Sequence, residues 1–167
     1  MTRVGRAAVI MLAVVAAVTG HLAVPADGRA EDQNMSPSDY ELLRSDIRTK
    51  KATLIAQQIK FTDQEAAVFW PVYRQYEVEL AAILDKKVAL LKDYMTHHET
   101  MTDAQAKQLA ESVFHVDRQT LDLRAKCFGM LEKSLPAKTV VRWLQIERRL
   151  QLYVDAQLAK ELPAIKE

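Results

Sequence analysis

The chain has 167 residues, the size of one domain, with 23 basic and 22 acidic side chains and a single cysteine, Cys127. This near-neutral balance gives no net field to attract nucleic acid, and one thiol excludes an intramolecular disulfide, so packing must supply the stability. Gly-rich phosphate loops do not occur, and no Asn-Gly or Asp-Gly pair joins two alternating strands as a hairpin turn would.

Arg3 and Arg6 precede an uncharged apolar run, Ala7 to Val18, followed by small residues and Pro25. This is the order of a secretory signal peptide, and the run is short of the roughly 20 residues that span a bilayer. Residues 1–26 are therefore expected to be removed after Ala26, with Ala30 as the second choice. No cysteine follows that would take a lipid anchor, so a periplasmic or secreted protein with no stable membrane span is expected. Cleavage takes Arg3 and Arg6 away, so 21 basic residues face 22 acidic ones in the remaining 141. That remainder keeps only Gly28 and Gly129 and is rich in Ala, Leu, Lys, Glu and Gln, all good helix formers. The mature domain is expected to be all-α.

Residues 27–35 read as a disordered polar segment, and residues 36–163 as a helical-hairpin domain. Ser36 opens the first helix, with Pro37 at its first position and Asp39 in its first turn. Tyr40, Leu43, Ile47 and Leu54 fall near one face, and the polar stretch Arg44 to Lys51 reads as a place to bend or fray before the end near Lys60. Thr62 and Glu65 have capping-box spacing at the start of the second helix. Positions 69, 73, 76, 80, 83, 87, 90 and 94 then step by fours and threes, and all but Lys87 are apolar or aromatic. This face keeps its phase past Pro71, which predicts one helix kinked near Ala67 to Pro71 and running to about Thr96, about 50 Å at 1.5 Å per residue.

A polar turn, His97 to Met101, leads to Thr102 and Gln105, a second capping pair. Positions 106, 109, 113, 116, 120, 123, 127 and 130 carry the next apolar stripe, with Gly129 placed to help stop the third helix. A five-residue turn between two long helices predicts antiparallel neighbours. Ser134 and Pro136 open the fourth helix, whose stripe is Val140, Trp143, Ile146, Leu150, Tyr153 and Val154, and Pro163 closes it. The expected architecture is thus four helices built on a long antiparallel hairpin. One side of that hairpin needs the first and fourth helices, a second copy or a client; a homodimer is the expected assembly.

Phe61-Thr-Asp-Gln-Glu65 and Met101-Thr-Asp-Ala-Gln105 lie 40 residues apart, threonine to threonine. With the leader and the helix pattern they resemble the Spy/CpxP group of periplasmic proteins, marked by a repeated Leu-Thr-x-x-Gln at helix starts. Phe61 and Met101 stand where that motif has Leu, and Glu65 where it has Gln. The resemblance implies small, often dimeric, curved helical hairpins that serve as ATP-independent chaperones or as inhibitory adaptors of envelope-stress sensors. It also implies metal binding in some relatives.

Phe69, Trp70, Tyr73 and Tyr76 are the candidate client face, with Arg142 and Arg148 as its charged rim. Phe69, Tyr73 and Tyr76 share the stripe that must be buried, so core or dimer seam competes with client contact, whereas Trp70 stands off the stripe as the exposed candidate. Arg142, Arg148 and Arg149 mingle with Glu147 and read equally as a solvated face. His97, His98, Glu99 and Met101 offer nitrogen, carboxylate and thioether ligands for a divalent transition metal, the alternative being a solvated turn. Glu111 and His115, one turn apart, read as a surface pair. Ser112 lacks a third group and an oxyanion loop beside His115, so no enzyme and no resident cofactor is expected. Cys127 lies on the apolar stripe as a small hydrophobe, with an intermolecular disulfide as its alternative.

Overall fold

A computed structural model describes residues 37–165. The leader (1–26), the polar segment (27–35) and the Ser36 cap lie outside the described residues. Four helices follow in order and no strand occurs among the described residues: α1 Pro37–Gln58, α2 Asp63–His97, α3 Asp103–Leu131 and α4 Ala137–Glu161.

Both long helices start on a capping box. Thr62 Oγ1 accepts the Glu65 amide at 3.2 Å, and Glu65 Oε2 accepts the Thr62 amide at 2.8 Å. Thr102 Oγ1 likewise accepts the Gln105 amide at 3.3 Å, and Gln105 Oε1 accepts the Thr102 amide at 2.9 Å. Each box satisfies donors that the first turn leaves without an intrahelical acceptor. α2 is unbroken through Pro71, and both Pro71 and Ala67 are exposed. Water can therefore satisfy the Ala67 carbonyl that the proline nitrogen cannot reach. A bend at this point stays an expectation.

Gly129 does not stop α3, which continues through it to Leu131. A Cβ built at Gly129 meets nothing within 4 Å. Alanine there restricts the unfolded chain without a clash. Gly129→Ala is expected to raise stability by about 0.5–1 kcal/mol, read from a denaturant midpoint shifted upward with an unchanged slope.

The helix directions follow from side-chain pairs. Lys126 donates to Glu79 at 2.9 Å and Lys86 to Gln119 at 3.0 Å. Seven residues forward along α2 are thus seven residues back along α3, so the two run antiparallel. Along α4 the order rises with α2: Tyr76 meets Glu147, Lys87 meets Asp155, and the Tyr94 hydroxyl donates to the Pro163 carbonyl. α1 returns to α2 through a four-residue connection and packs on both α2 and α4.

The main core lies at the end of the bundle where α3 hands over to α4. Phe69, Tyr73, Tyr76 and Leu80 of α2 meet Leu123, Cys127 and Leu131 of α3 and Val140, Trp143, Ile146 and Leu150 of α4, with Ile55 and Ile59 from α1 and its connection. Phe69 stacks on Tyr73 at 5.5 Å between ring centroids, and Trp143 lies edge-on to Tyr76 at 5.3 Å. A smaller cluster, Val88, Leu91 and Leu158, sits nearer the α2–α3 turn. Between the two clusters and the turn, the apolar stripe of α3 is only partly covered.

Candidate protein-binding site

The aromatic cluster near the start of α2 is not an open surface. Phe69, Tyr73 and Tyr76 are buried, so their place on the client face is corrected: a client cannot reach them in the closed bundle. The reason is α4, whose Trp143 and Ile146 fill the side of the hairpin that these rings project from. Trp70 is half-buried rather than free, with its ring edge-on to Phe69 at 5.1 Å and Phe61 at 5.9 Å. Arg142 and Arg148 are exposed. Arg142 joins Lys60 and Lys138 along a surface cleft of about 710 Å³ at the base of the bundle, away from the buried aromatics.

Charge is buried where the sequence reading placed solvent. Lys51 is 6% exposed and Glu147 4%. Lys51 Nζ of α1 donates to Glu77 Oε1 of α2 at 2.7 Å. It also forms an ion pair with Glu147 Oε1 of α4 at 2.8 Å. The Tyr76 hydroxyl donates to Glu147 Oε2 at 2.9 Å. Burial alone would push Lys51 down, but Glu147 and Glu77 outweigh it and hold its ammonium above its ordinary 10.5. Burial, reinforced by the same carboxylates, raises the Tyr73 and Tyr76 hydroxyls and pushes the Cys127 thiol up to about 12. Cys127 is buried and so is unsuited to an intermolecular disulfide in this conformation.

The turn histidines do not converge. His97 Nδ1 lies 3.0 Å from both the carbonyl and the carboxylate of Asp93 on its own helix. His98 Nδ1 faces the Met95 carbonyl at 3.3 Å, and its ring lies 5.7 Å from Tyr94. Among the described residues, no three of His, Cys, Asp and Glu come together as a metal site, so His97, His98 and Glu99 form no such group by themselves. Glu111 pairs with Lys107 at 4.0 Å instead of with His115, and the Ser112 hydroxyl donates back to the Gln108 carbonyl, as it would on any helix surface.

An open groove with an almost wholly apolar lining lies in the half of the bundle nearer the α2–α3 turn. The groove, of about 270 Å³, is walled by Leu90, Leu91 and Tyr94 of α2, Leu109, Val113 and Val116 of α3, and Leu158 and Leu162 at the end of α4. Lys87 and Asp117 are its charged members, and Lys87 already pairs with Asp155 at 3.1 Å. Val113 is 39% exposed and Leu162 36%, so both are reachable from solvent. Elsewhere on α3, Phe114 and Leu121, two turns apart, are 60% and 61% exposed.

Leu109 and Val113 share a stripe with the buried Val116, and what separates them from it is how far α4 reaches. No helix among the described residues is long and apolar enough to cross a membrane. The chain matches no protein-family model, no curated protein and no solved structure.

Proposed function

We propose that the chain is a periplasmic or secreted protein-binding module that works without chemistry, as an ATP-independent chaperone-like protein or an envelope-stress adaptor. The resemblance to the Spy/CpxP group belongs to this proposal. The observation that carries it is the open groove of about 270 Å³ between α2, α3 and the end of α4. Such a surface gains by covering apolar segments of a partly unfolded protein, at roughly 25 cal/mol per Å² removed from water. A shallow groove with polar surroundings favours weak, reversible holding, because only the surplus over lost freedom and desolvation appears as affinity.

The test is the light scattering of a model client as it aggregates, without ATP, with increasing amounts of the protein. Near-stoichiometric protein is expected to slow aggregation. Val113→Glu combined with Leu162→Glu puts two charges into the groove at exposed positions, leaves the helical circular dichroism intact, and is expected to raise the amount required at least tenfold. No protection by the wild type at tenfold excess, or equal protection by the double variant, overturns the reading. A homodimer is the companion proposal: light scattering on a chromatographic peak is expected to give twice the chain mass, and a monomer mass at tens of micromolar overturns it.

A further inference from the structure

α1 lies in a groove between α2 and α4 whose centre is built around an ammonium group. Lys51 Nζ is 2.7 Å from Glu77 Oε1 and 2.8 Å from Glu147 Oε1, and it lies 5.5 Å and 5.9 Å from the Tyr76 and Tyr73 ring centroids. Carboxylates and aromatic faces together hold a cation through both charge and ring quadrupole. Ile55, one turn after Lys51, is fully buried in the core, and Ile47, one turn before it, packs on the same core. The part of α1 that is read by its neighbours is therefore an aliphatic–lysine–aliphatic row at four-residue spacing.

The outer face of α1 is open to solvent: Arg48, Thr49, Lys50, Thr53, Ala56 and Gln57 are exposed. A cavity of about 70 Å³ lies beside the lysine, between Ile47, Leu84, Leu150 and Val154. With Lys51 gone, Glu77 and Glu147 would face each other with no cation between them, so the empty groove selects for an ammonium.

We propose that α1 is a displaceable occupant of this groove, and that the groove also accepts an amphipathic helical segment of a partner protein carrying a lysine with aliphatic residues four positions to either side. The proposal rests on the protein-binding reading and names the partner's chemistry. It also gives Tyr73 and Tyr76 a role in recognition once α1 has moved, although both are buried while it is in place.

The experiment uses the full mature chain and, as probe, a fluorescently labelled synthetic peptide of residues 42–59, followed by anisotropy. Lys51→Glu in the protein weakens the internal competitor, so the probe is expected to bind this variant at least tenfold more tightly than the wild type. Arg48→Cys with Gln151→Cys, both beside the cavity, tethers α1 to α4 when oxidised. The buried Cys127 need not be removed. The oxidised tether is expected not to bind the probe, and reduction restores binding to the wild-type level.

A probe carrying Lys51→Glu is expected to bind at least tenfold more weakly to every form. Val113→Glu is expected to leave probe affinity unchanged, so failure of the apolar groove and failure of the lysine groove are read separately. Equal binding to wild-type, Lys51→Glu and oxidised proteins overturns the proposal. So does a probe indifferent to its lysine, or no binding to any form. Where Lys51→Glu loses its helical signal, Lys51→Ala takes its place with the same expected ordering.

Discussion

Lys51→Ala is expected to lower stability by about 3–5 kcal/mol, the usual cost of leaving a buried charge without its partner. Two carboxylates depend on this one ammonium: Glu77 at 2.7 Å and Glu147 at 2.8 Å. Alanine also removes the side chain that spans α1, α2 and α4. A domain with about 5–15 kcal/mol in total would lose a large share of its stability, so the urea midpoint should fall well below the wild-type value. Replacing the node as a whole is a different matter. Lys51→Met with Glu77→Gln and Glu147→Gln removes all the charges together and is expected to cost less than Lys51→Ala alone, because no buried charge is orphaned.

The node also sets the response to alkali. Lys51 has its folded value raised above the unfolded 10.5, so its contribution is present below 10.5 and lost as pH rises through the folded value. Cys127, Tyr73 and Tyr76 are raised as well, so in the unfolded chain they ionise first, near 9.0 and 10.0, and draw the equilibrium toward unfolding. Stability to urea is expected to decline as pH climbs past 9.0, and a flat profile to pH 11 would contradict this.

The second large effect is expected at Trp143. It is fully buried and edge-on to Tyr76 at 5.3 Å and Phe69 at 6.5 Å, at the meeting of α2 and α4. Trp143→Ala combines lost transfer energy with a large cavity, about 3–5 kcal/mol. The indole nitrogen Nε1 has no hydrogen-bond partner, so removing it leaves no acceptor orphaned. Trp143→Phe is therefore expected to cost less than half as much, its loss being one of volume alone. Thermal unfolding followed by circular dichroism distinguishes the two variants, with the alanine variant the lower by several degrees.

Much of the fold was legible because local and periodic signals agreed. Thr62 with Glu65 and Thr102 with Gln105 mark helix starts, and the steps of three and four through Phe69, Tyr73, Tyr76 and Leu80 assign one buried face. The buried node was missed although its phase was visible. Lys51 falls between Ile47 and Ile55 at four-residue steps, and Glu147 falls between Trp143 and Leu150. Charge type was allowed to override position, when two opposite charges on stripe positions of different helices can be buried as a pair. Gly129, near the end of α3, is placed to help stop it, but a glycine continues a helix when its neighbours' packing holds the backbone there.

The groove was hidden for another reason. Leu109 and Val113 carry the same period as the core residues of α3, and nothing in their own spacing says that cover thins out there. That depends on where α4 ends, with Leu158 and Leu162 forming one wall and the Tyr94–Pro163 bond fixing the chain end against α2. Partial coverage is a property of three helices at once, so a single-helix pattern cannot carry it. The turn histidines show what composition leaves out: it offers ligand types, but not that each Nδ1 faces a group on its own helix end.

The most direct measurement is site-specific capture of an unfolded client. A photo-crosslinking amino acid is placed at Val113, on the groove wall, and for comparison at Asp63, exposed at the far end of α2. Illumination with a chemically unfolded client is expected to give a covalent adduct at Val113 and none at Asp63, and the native client is expected to give neither. Absence of an adduct at Val113, or equal yields at the two positions, would contradict a client-holding groove.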